Sequence, residues 1–408
     1  MKYANRIHNK HGRRISIRAL LLMLALMTSI AIPTLRPAVS QAQASGTVVG
    51  WGNNDFGQIT IPAGLTGVTA IAAGFEHSLA LKTDGTVVGW GLNDAGEATP
   101  PTGLINVTAI AAGGIGNNGF GHSLALKSDG TVVGWGLNDS GEATPPPGLS
   151  GVVAISAGGI HSLALKSDGT VVAWGNNAFG VLDIPAGLSS VVAISAGSLH
   201  NLALKTDGTV VGWGDNSLDQ ATPPAGLSGV VAISAGGAHS LALKSDGTVV
   251  GWGFNGNGQA TPPAGLSGVM AISAGFNYSL ALKSDGTVVG WGDNSFGGAA
   301  TPPAGLSGVV AISAGDFHSL ALVSAFDIDD LIALVNGLNI NQGIQTSLLA
   351  KLNAAAAALA ADNTATACTK LQDFINECNA QSGKKLSVEQ ANELIARANE
   401  IRASLGCP

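Results

Sequence analysis

Basic residues are scarce in this 408-residue chain, and seven of its 19 lysines and arginines lie within residues 1–44. The rest carries 12 bases against 26 acids, a net charge of −14. A body of that sign without basic clusters excludes nucleic acid and anionic membrane as partners. Past the N-terminal region no hydrophobic run is long enough to cross a bilayer. GxSxG, HExxH and P-loop patterns are absent, as is a His-Cys pairing within the repeats, so no motif points to a reaction. Charged residues (11%) and aromatics (5%) are few for a globular protein, but 46% apolar residues supply a large core.

What is present begins with an export signature. Lys2, Arg6, Lys10, Arg13, Arg14 and Arg18 form a basic region, Ala19–Ile32 is apolar but too short to span, and Ala42-Gln43-Ala44 offers a cleavage site. Residues 1–44 therefore read as a signal peptide, with an uncleaved anchor as the alternative. The expected product is secreted and monomeric, in the extracellular space, the periplasm or at the cell surface.

The body is a repeat. HSLALKSDGTVVGWG at His239–Gly253 recurs from His77, His122, His161 and His200, and with Tyr278 in the histidine place. The seven tryptophans (51, 90, 135, 174, 213, 252, 291) are its closing residue, 39 apart except for one interval of 45. Such a period with strand-like content means a propeller or a solenoid. HSLAL and TVVGW read as strands joined by an Asp-Gly hairpin turn, and VVAISAG as a third; the A-T-P-P segment is a weak fourth. Alternation is expected to put Leu241, Leu243, Val250 and Trp252 on one face and Ser240, Ala242, Val249 and Gly251 on the other. The chain enters the array at Gly46-Thr47-Val48-Val49-Gly50-Trp51 and leaves it at His318–Leu322, so the two ends are expected to complete one shared blade. The fold class is an all-β seven-bladed β-propeller (45–323) followed by a small all-α, four-helix C-terminal domain (324–408).

The V-V-G-W-G-x-N, A-I-x-A-G and H-S-L-A-L-K segments resemble the regulator of chromosome condensation repeat family, most closely its β-lactamase inhibitory protein II-type bacterial propellers, over about Gly46–Val323. The resemblance implies a propeller. In the inhibitor branch it implies contact through aromatic loop residues on one face, at positions matching Phe75, Ile160, Leu199, Ala238, Phe276 and Phe317.

Beyond Val323 the period becomes helical. Ile344, Leu348, Leu349, Leu352, Ala356 and Leu359 form one stripe, and Leu371, Phe374, Ile375 and Cys378 a second. Ala391, Leu394, Ile395, Ala398, Ile401 and Leu405 form a third, and a short helix is expected at 327–335. Ser387 with Gln390 makes a capping box after Gly383. Cys368 and Cys378 on one helix lie about 15 Å apart, too far to bond. Folding the last two helices antiparallel brings Cys407 to Cys368, so a Cys368–Cys407 disulfide is expected, with Cys378 a buried thiol. Phe374-Ile375-Asn376, Gly383–Leu386, Gln390–Ile395 and the final Leu405-Gly406-Cys407 resemble the FIMAH domain, which implies an accessory module.

The repeated histidines (77, 122, 161, 200, 239, 318) read as hydrogen-bonding groups rather than metal ligands, because one residue per repeat spreads around a ring. The Asp-Gly pairs read as turns rather than calcium sites. No catalytic, cofactor or metal residue is assigned. The pre-histidine loop and the N-x-x-G loop are expected to open on one face if the fourth strand exists, with the near-invariant turns on the other. On that variable face Phe75, Glu76, Phe120, Phe276, Asp316 and Phe317 are the candidate contacts for an extracellular or cell-surface protein, beside the six-residue insertion Ile115–Phe120. Phe56, Phe179 and Phe296 share one repeat position and are expected to pack inside a turn. Inhibition of a β-lactamase or related cell-wall enzyme is one alternative. A carbohydrate-active enzyme using acids among Asp316, Glu76 and Asp183 is another, and a purely structural surface protein a third.

Overall fold

A computed structural model describes residues 46–115, 120–295, 297–324, 328–361 and 363–407. The segment read as a signal peptide, the centre of the insertion and Phe296 lie outside them, as does the side chain of Phe120.

Each repeat folds as three antiparallel strands, for example Val68–Ala73, His77–Lys82 and Val87–Gly91. The Asp-Gly hairpin follows from local chemistry. Asp84 Oδ1 accepts the Thr86 amide (3.0 Å) and hydroxyl (2.6 Å), and Lys82 Nζ reaches Oδ2 at 3.0 Å. Gly85 takes the left-handed conformation (φ 75°) that other residues resist. The same bonds recur in the other Asp-Gly turns, so these aspartates serve turns.

Each repeat unit contributes three strands, and the A-T-P-P segment is not a strand. Proline offers no amide to a ladder, and the neighbouring polar groups are engaged locally. The Asn93 side chain accepts the Ala98 amide (2.9 Å) and donates to Thr99 Oγ1 (2.9 Å). The segment instead presses its backbone onto the third strand: a Cβ at Gly89 would lie 2.3 Å from Ala98 O.

Hairpin register corrects the expected division of faces. Ser240 pairs with Trp252, Leu241 with Gly251, Ala242 with Val250 and Leu243 with Val249. Directly paired residues share a face, so Trp252 stands with Ser240 and Ala242, opposite the leucines. The leucine face of each repeat packs on the Ala-Trp face of the next. Leu202 and Leu204 meet Ala242 and Trp252, and Leu241 and Leu243 meet Ala281 and Trp291.

Among the described residues 21 strands form five three-stranded sheets and one of six. In the six-stranded sheet Gly46–Gly52 pairs with His318–Ser324 along its whole length, from Gly46↔Ser324 to Gly52↔His318. The first strand thus supplies the third place in the unit begun by Val309–Ala314.

The expected segregation of loops holds without a fourth strand. At one end the pre-histidine loop meets the N-x-x-G loop (Leu92 N to Glu76 O, 2.8 Å). At the other, the Asp-Gly turn meets the G-L-T-G turn (Thr83 N to Gly67 O, 2.8 Å). Adjacent repeats align both ends through Asp316 N to Gly74 O (3.2 Å) and Val107 N to Gly85 O (3.1 Å). We call these the loop face and the turn face.

The C-terminal region forms α1 (Ile328–Gly337), α2 (Gln342–Ala360), α3 (Thr364–Gln381) and α4 (Val388–Ser404). All three predicted stripes enter one core around Leu348, Leu352, Leu371, Phe374 and Leu394. Ser387 Oγ accepts the Gln390 amide and Gln390 Oε1 accepts the Ser387 amide, a reciprocal cap on α4. Cys368 and Cys407 are joined, and Cys378 is a buried free thiol. That bond closes a loop with a sequence separation of 39. Cys407→Ser is expected to cost the helical region about 3–4 kcal/mol. Circular dichroism melting of the full chain would show an earlier helical transition with the strand signal unchanged.

Candidate protein-binding face

The loop face is held from below by a buried relay between repeats. His77 Nε2 lies 2.9 Å from Ser123 Oγ, and the same contact joins His122 to Ser162, His200 to Ser240 and His239 to Ser279. His318 reaches Ser78 at 2.8 Å, so the sequence of links returns to the repeat of His77. Each of these serines gives its own proton to a loop carbonyl: Ser78 Oγ donates to Gln58 O (2.9 Å), which also accepts Trp90 Nε1 (2.8 Å). With the serine proton spent, the imidazole must donate from Nε2. His161 shows this independently, because its partner, Asn201 Oδ1 at 2.6 Å, can only accept. Asn201 Nδ2 then donates to Val181 O, doing the work of the serine hydroxyl. Tyr278 replaces the imidazole with a hydroxyl that donates to His318 O (2.6 Å) and meets Ser319 Oγ (2.9 Å).

These rings are buried without room to spare. A Cβ at Gly74 would lie 2.5 Å from the His77 ring, which explains the A-G that ends the strand before each loop. Burial holds the imidazoles far below their ordinary value, at about 3 for His77, His122, His239 and His318 and about 4 for His161 and His200. They are neutral structural links.

The carbonyls that end the relay belong to Gln58, Glu97, Glu142, Val181, Gln220, Gln259 and Ala299. In five of these the buried side chain turns back to accept a loop amide, as Gln58 Oε1 does from Phe56 N (3.0 Å). These residues are not among the candidates drawn from the sequence alone. The signal was there, in the Gln or Glu that follows N-x-x-G in most repeats.

At Gln58 and Gln220 that anchoring turns the residue two places earlier outward, and the phenylalanines expected to pack inside a turn are exposed instead. Phe56 is 48% exposed, Phe179 61%, and Leu218 at the same repeat position 46%. Phe179 has φ 64°, so its loop turns through the left-handed region and the ring projects outward rather than packing inside. Phe75, by contrast, is only 6% exposed. It packs edge-on against Phe317 (centroids 5.8 Å apart), and Phe317 packs on half-buried Phe276 (5.8 Å). The structure therefore gathers three of the candidate rings, with Phe75 as the support beneath the other two. Glu76 and Asp316 lie beside them. Burial raises the Asp316 carboxyl to about 8, with a smaller push from the Glu76 charge, and Asp316 Oδ2 has no hydrogen-bond partner. Burial also raises Glu76, helped by Asp55. Asp183 accepts from Asn177 in its own loop and belongs to a different repeat from that pair. Phe120 opens a strand opposite Ile115. Asp316 and Phe75 border a cavity of about 90 Å³ lined otherwise by the small residues that end the first strand of each unit.

Tandem three-stranded sheets, a leucine face on an Ala-Trp face and one variable loop face define a β-propeller of the repeat-built kind. Segments 68–97, 107–142, 152–181, 191–220, 230–259 and 270–297 match the regulator of chromosome condensation (RCC1) repeat, and residues 328–403 match the FIMAH domain. The chain is an RCC1-repeat protein with a C-terminal FIMAH domain. Its fold is similar to that of Prp20p from Saccharomyces cerevisiae (19% identity, TM-score 0.59, 74% of this chain and 97% of that one). It is likewise similar to yeast RCC1 (Prp20) solved with Kap60 bound (19%, 0.60, 83% and 99%) and to human WBSCR16 (19%, 0.56, 68% and 99%). No curated protein matches the chain.

The relay makes stability depend on pH with a definite sign. The folded histidines stay neutral down to about pH 3–4 while unfolded ones protonate below about 6.5. The unfolded state then binds more protons, so stability falls as pH drops through that window. Each histidine adds up to about 1.4 kcal/mol per pH unit, with Asp316 opposing above its unfolded value. Urea denaturation of parent and His239→Tyr at a series of pH values should show the variant's slope reduced by one proton.

Proposed function

We propose that the chain is an exported, non-enzymatic binding protein whose seven blades close into a ring and whose loop face engages an extracellular or cell-surface protein. Residues 45–323 form the binding propeller and 324–408 an accessory helical domain. Pairing of the first strand with the last, and the histidine relay that returns to its start, support closure. The disulfide fits an oxidising compartment, and among the described residues no helix is long and apolar enough to cross a membrane.

The observation that carries the reading is the outward placement of Phe56, Phe179 and Leu218 at the variable position of an otherwise uniform repeat. Large apolar side chains held outward by a rigid loop match the anchors that dominate protein interfaces. Phe276 and Phe317 extend the apolar surface, with Glu76 and Asp316 at its edge. A protein of similar fold, yeast RCC1, is solved with Kap60 bound, which is consistent with a protein partner.

The test is capture from the secreted and surface proteins of the producing organism, with parent and a Phe56→Ser, Phe179→Ser, Leu218→Ser variant as baits. Interface anchors each cost about 2 kcal/mol when removed, so a partner held by the parent should be lost from the variant. Equal retention by both baits would remove the loop face from the reading.

A further inference from the structure

The two faces of the propeller differ in charge. Between residues 46 and 324 there are six lysines, no arginine and 17 acids. All six lysines (82, 127, 166, 205, 244 and 283) sit on the turn face, each 2.8–3.5 Å from the aspartate two residues on. The turn face is thereby neutralised by its own pairs. The remaining 11 acids belong to the loops and follow-on segments of the other end, with no base among them except the buried neutral histidines.

Two of those acids, Glu97 and Glu142, are buried in the loop anchors. Asp55, Asp94, Asp139, Asp183 and Asp219 are exposed, and Glu76, Asp215, Asp293 and Asp316 half-buried. They interleave with the apolar anchors: Asp55 precedes Phe56, and Asp219 follows Leu218. Asp316 adds a separate observation at the cluster of rings, a buried carboxylate oxygen without a partner beside a second acid and bordering a cavity. Its neighbours Glu76, Tyr278 and Phe317 bring no cation to it, and in the fold as it stands the acid is held protonated by burial.

We infer that the loop face is built for a protein surface of interleaved basic and apolar residues, with Phe56, Phe179 and Leu218 seating the apolar side chains and the surrounding aspartates pairing with lysine or arginine. This assignment rests on the loop face being the binding face and names the chemistry of its partner. Charge complementarity of this kind steers association and rejects acidic surfaces. A cationic side chain arriving at the Phe276–Phe317 edge would also give Asp316 the partner it lacks.

The test uses the chain without residues 1–44 and three synthetic peptides: alternating Lys and Leu, alternating Glu and Leu, and alternating Lys and Ser. Binding is measured by fluorescence anisotropy at low and near-physiological salt. The Lys-Leu peptide is expected to bind, to weaken with salt, and to bind more tightly than Lys-Ser; the Glu-Leu peptide is expected not to bind. A loop-face variant, Asp55→Asn, Asp94→Asn, Asp139→Asn and Asp219→Asn, should bind Lys-Leu about tenfold or more weakly. A turn-face variant with the same change in net charge, Thr83→Lys, Ser128→Lys, Ser167→Lys and Ser245→Lys, should bind like the parent. Equal weakening by both variants, salt-independent binding, no binding of Lys-Leu, or binding of Glu-Leu would each overturn the inference. Any of these results alongside loss of the captured partner from the Phe56/Phe179/Leu218 variant would keep the binding face and discard the basic partner. Loss of neither would discard both.

Discussion

A neutral imidazole handing its one proton to the next repeat is the interaction on which the rest of this protein depends. The proton passes to a serine or asparagine, whose own donor reaches a loop carbonyl, and a tryptophan from the third strand closes on the same carbonyl. Every donor in this chain of contacts is spent inside the protein, away from water, where leaving one unmade costs about 1–3 kcal/mol. One residue type therefore cannot drift without the next, which explains why the interior positions are so uniform from repeat to repeat. The same carbonyl belongs to the residue whose side chain ties down the N-x-x-G loop. Two positions before it the chain is free to vary, because that side chain points away from everything the relay needs.

The histidine relay also shows what a one-dimensional reading reaches and where it stops. The seven tryptophans, the Asp-Gly hairpins and the helical stripes were legible because each is a local signal repeated many times. The Cys368–Cys407 pairing followed from helix length and one glycine. Face assignment failed for a different reason. Each strand alternates correctly, but which face of one strand shares a side with which face of the next depends on where the turn places the register. Lys82–Thr86 settles that by pairing Lys82 with Thr86 across the turn, a fact of hydrogen bonding rather than of polarity. The phenylalanines were misplaced because burial is decided by neighbours distant in sequence. Phe75 is covered by Phe317, 242 residues away, whereas Phe56 is turned out by the hydrogen bond from its amide to Gln58 Oε1. The A-T-P-P segment, read as a weak fourth strand, packs on glycine through a carbonyl and does not join the ladder.

Separation of charge between the faces follows from the same division of labour. On the turn face each lysine is matched to an aspartate in its own turn, and pairs this exposed contribute about 0–1 kcal/mol each. Their larger effect is on the field: six repeats of a self-cancelling pair leave that side without a net sign. The loops carry no such pairs, so the acidity of the whole region is expressed on one side. An otherwise uniform array of near-identical repeats thereby acquires a front and a back.

The pairing of Gly46–Gly52 with His318–Ser324 has a consequence for biosynthesis. The strand made first is paired last. Until almost the whole β region has been synthesised, Gly46-Thr47-Val48-Val49-Gly50-Trp51-Gly52 has an unsatisfied edge, rich in β-formers and free of charge, the composition that invites pairing with another chain. Among the described residues its only other ladder contact is a single bridge from Gly46 to Val68. The pairing that covers this edge is thus among the most distant in sequence, and contacts of such separation carry the largest loop-closure cost.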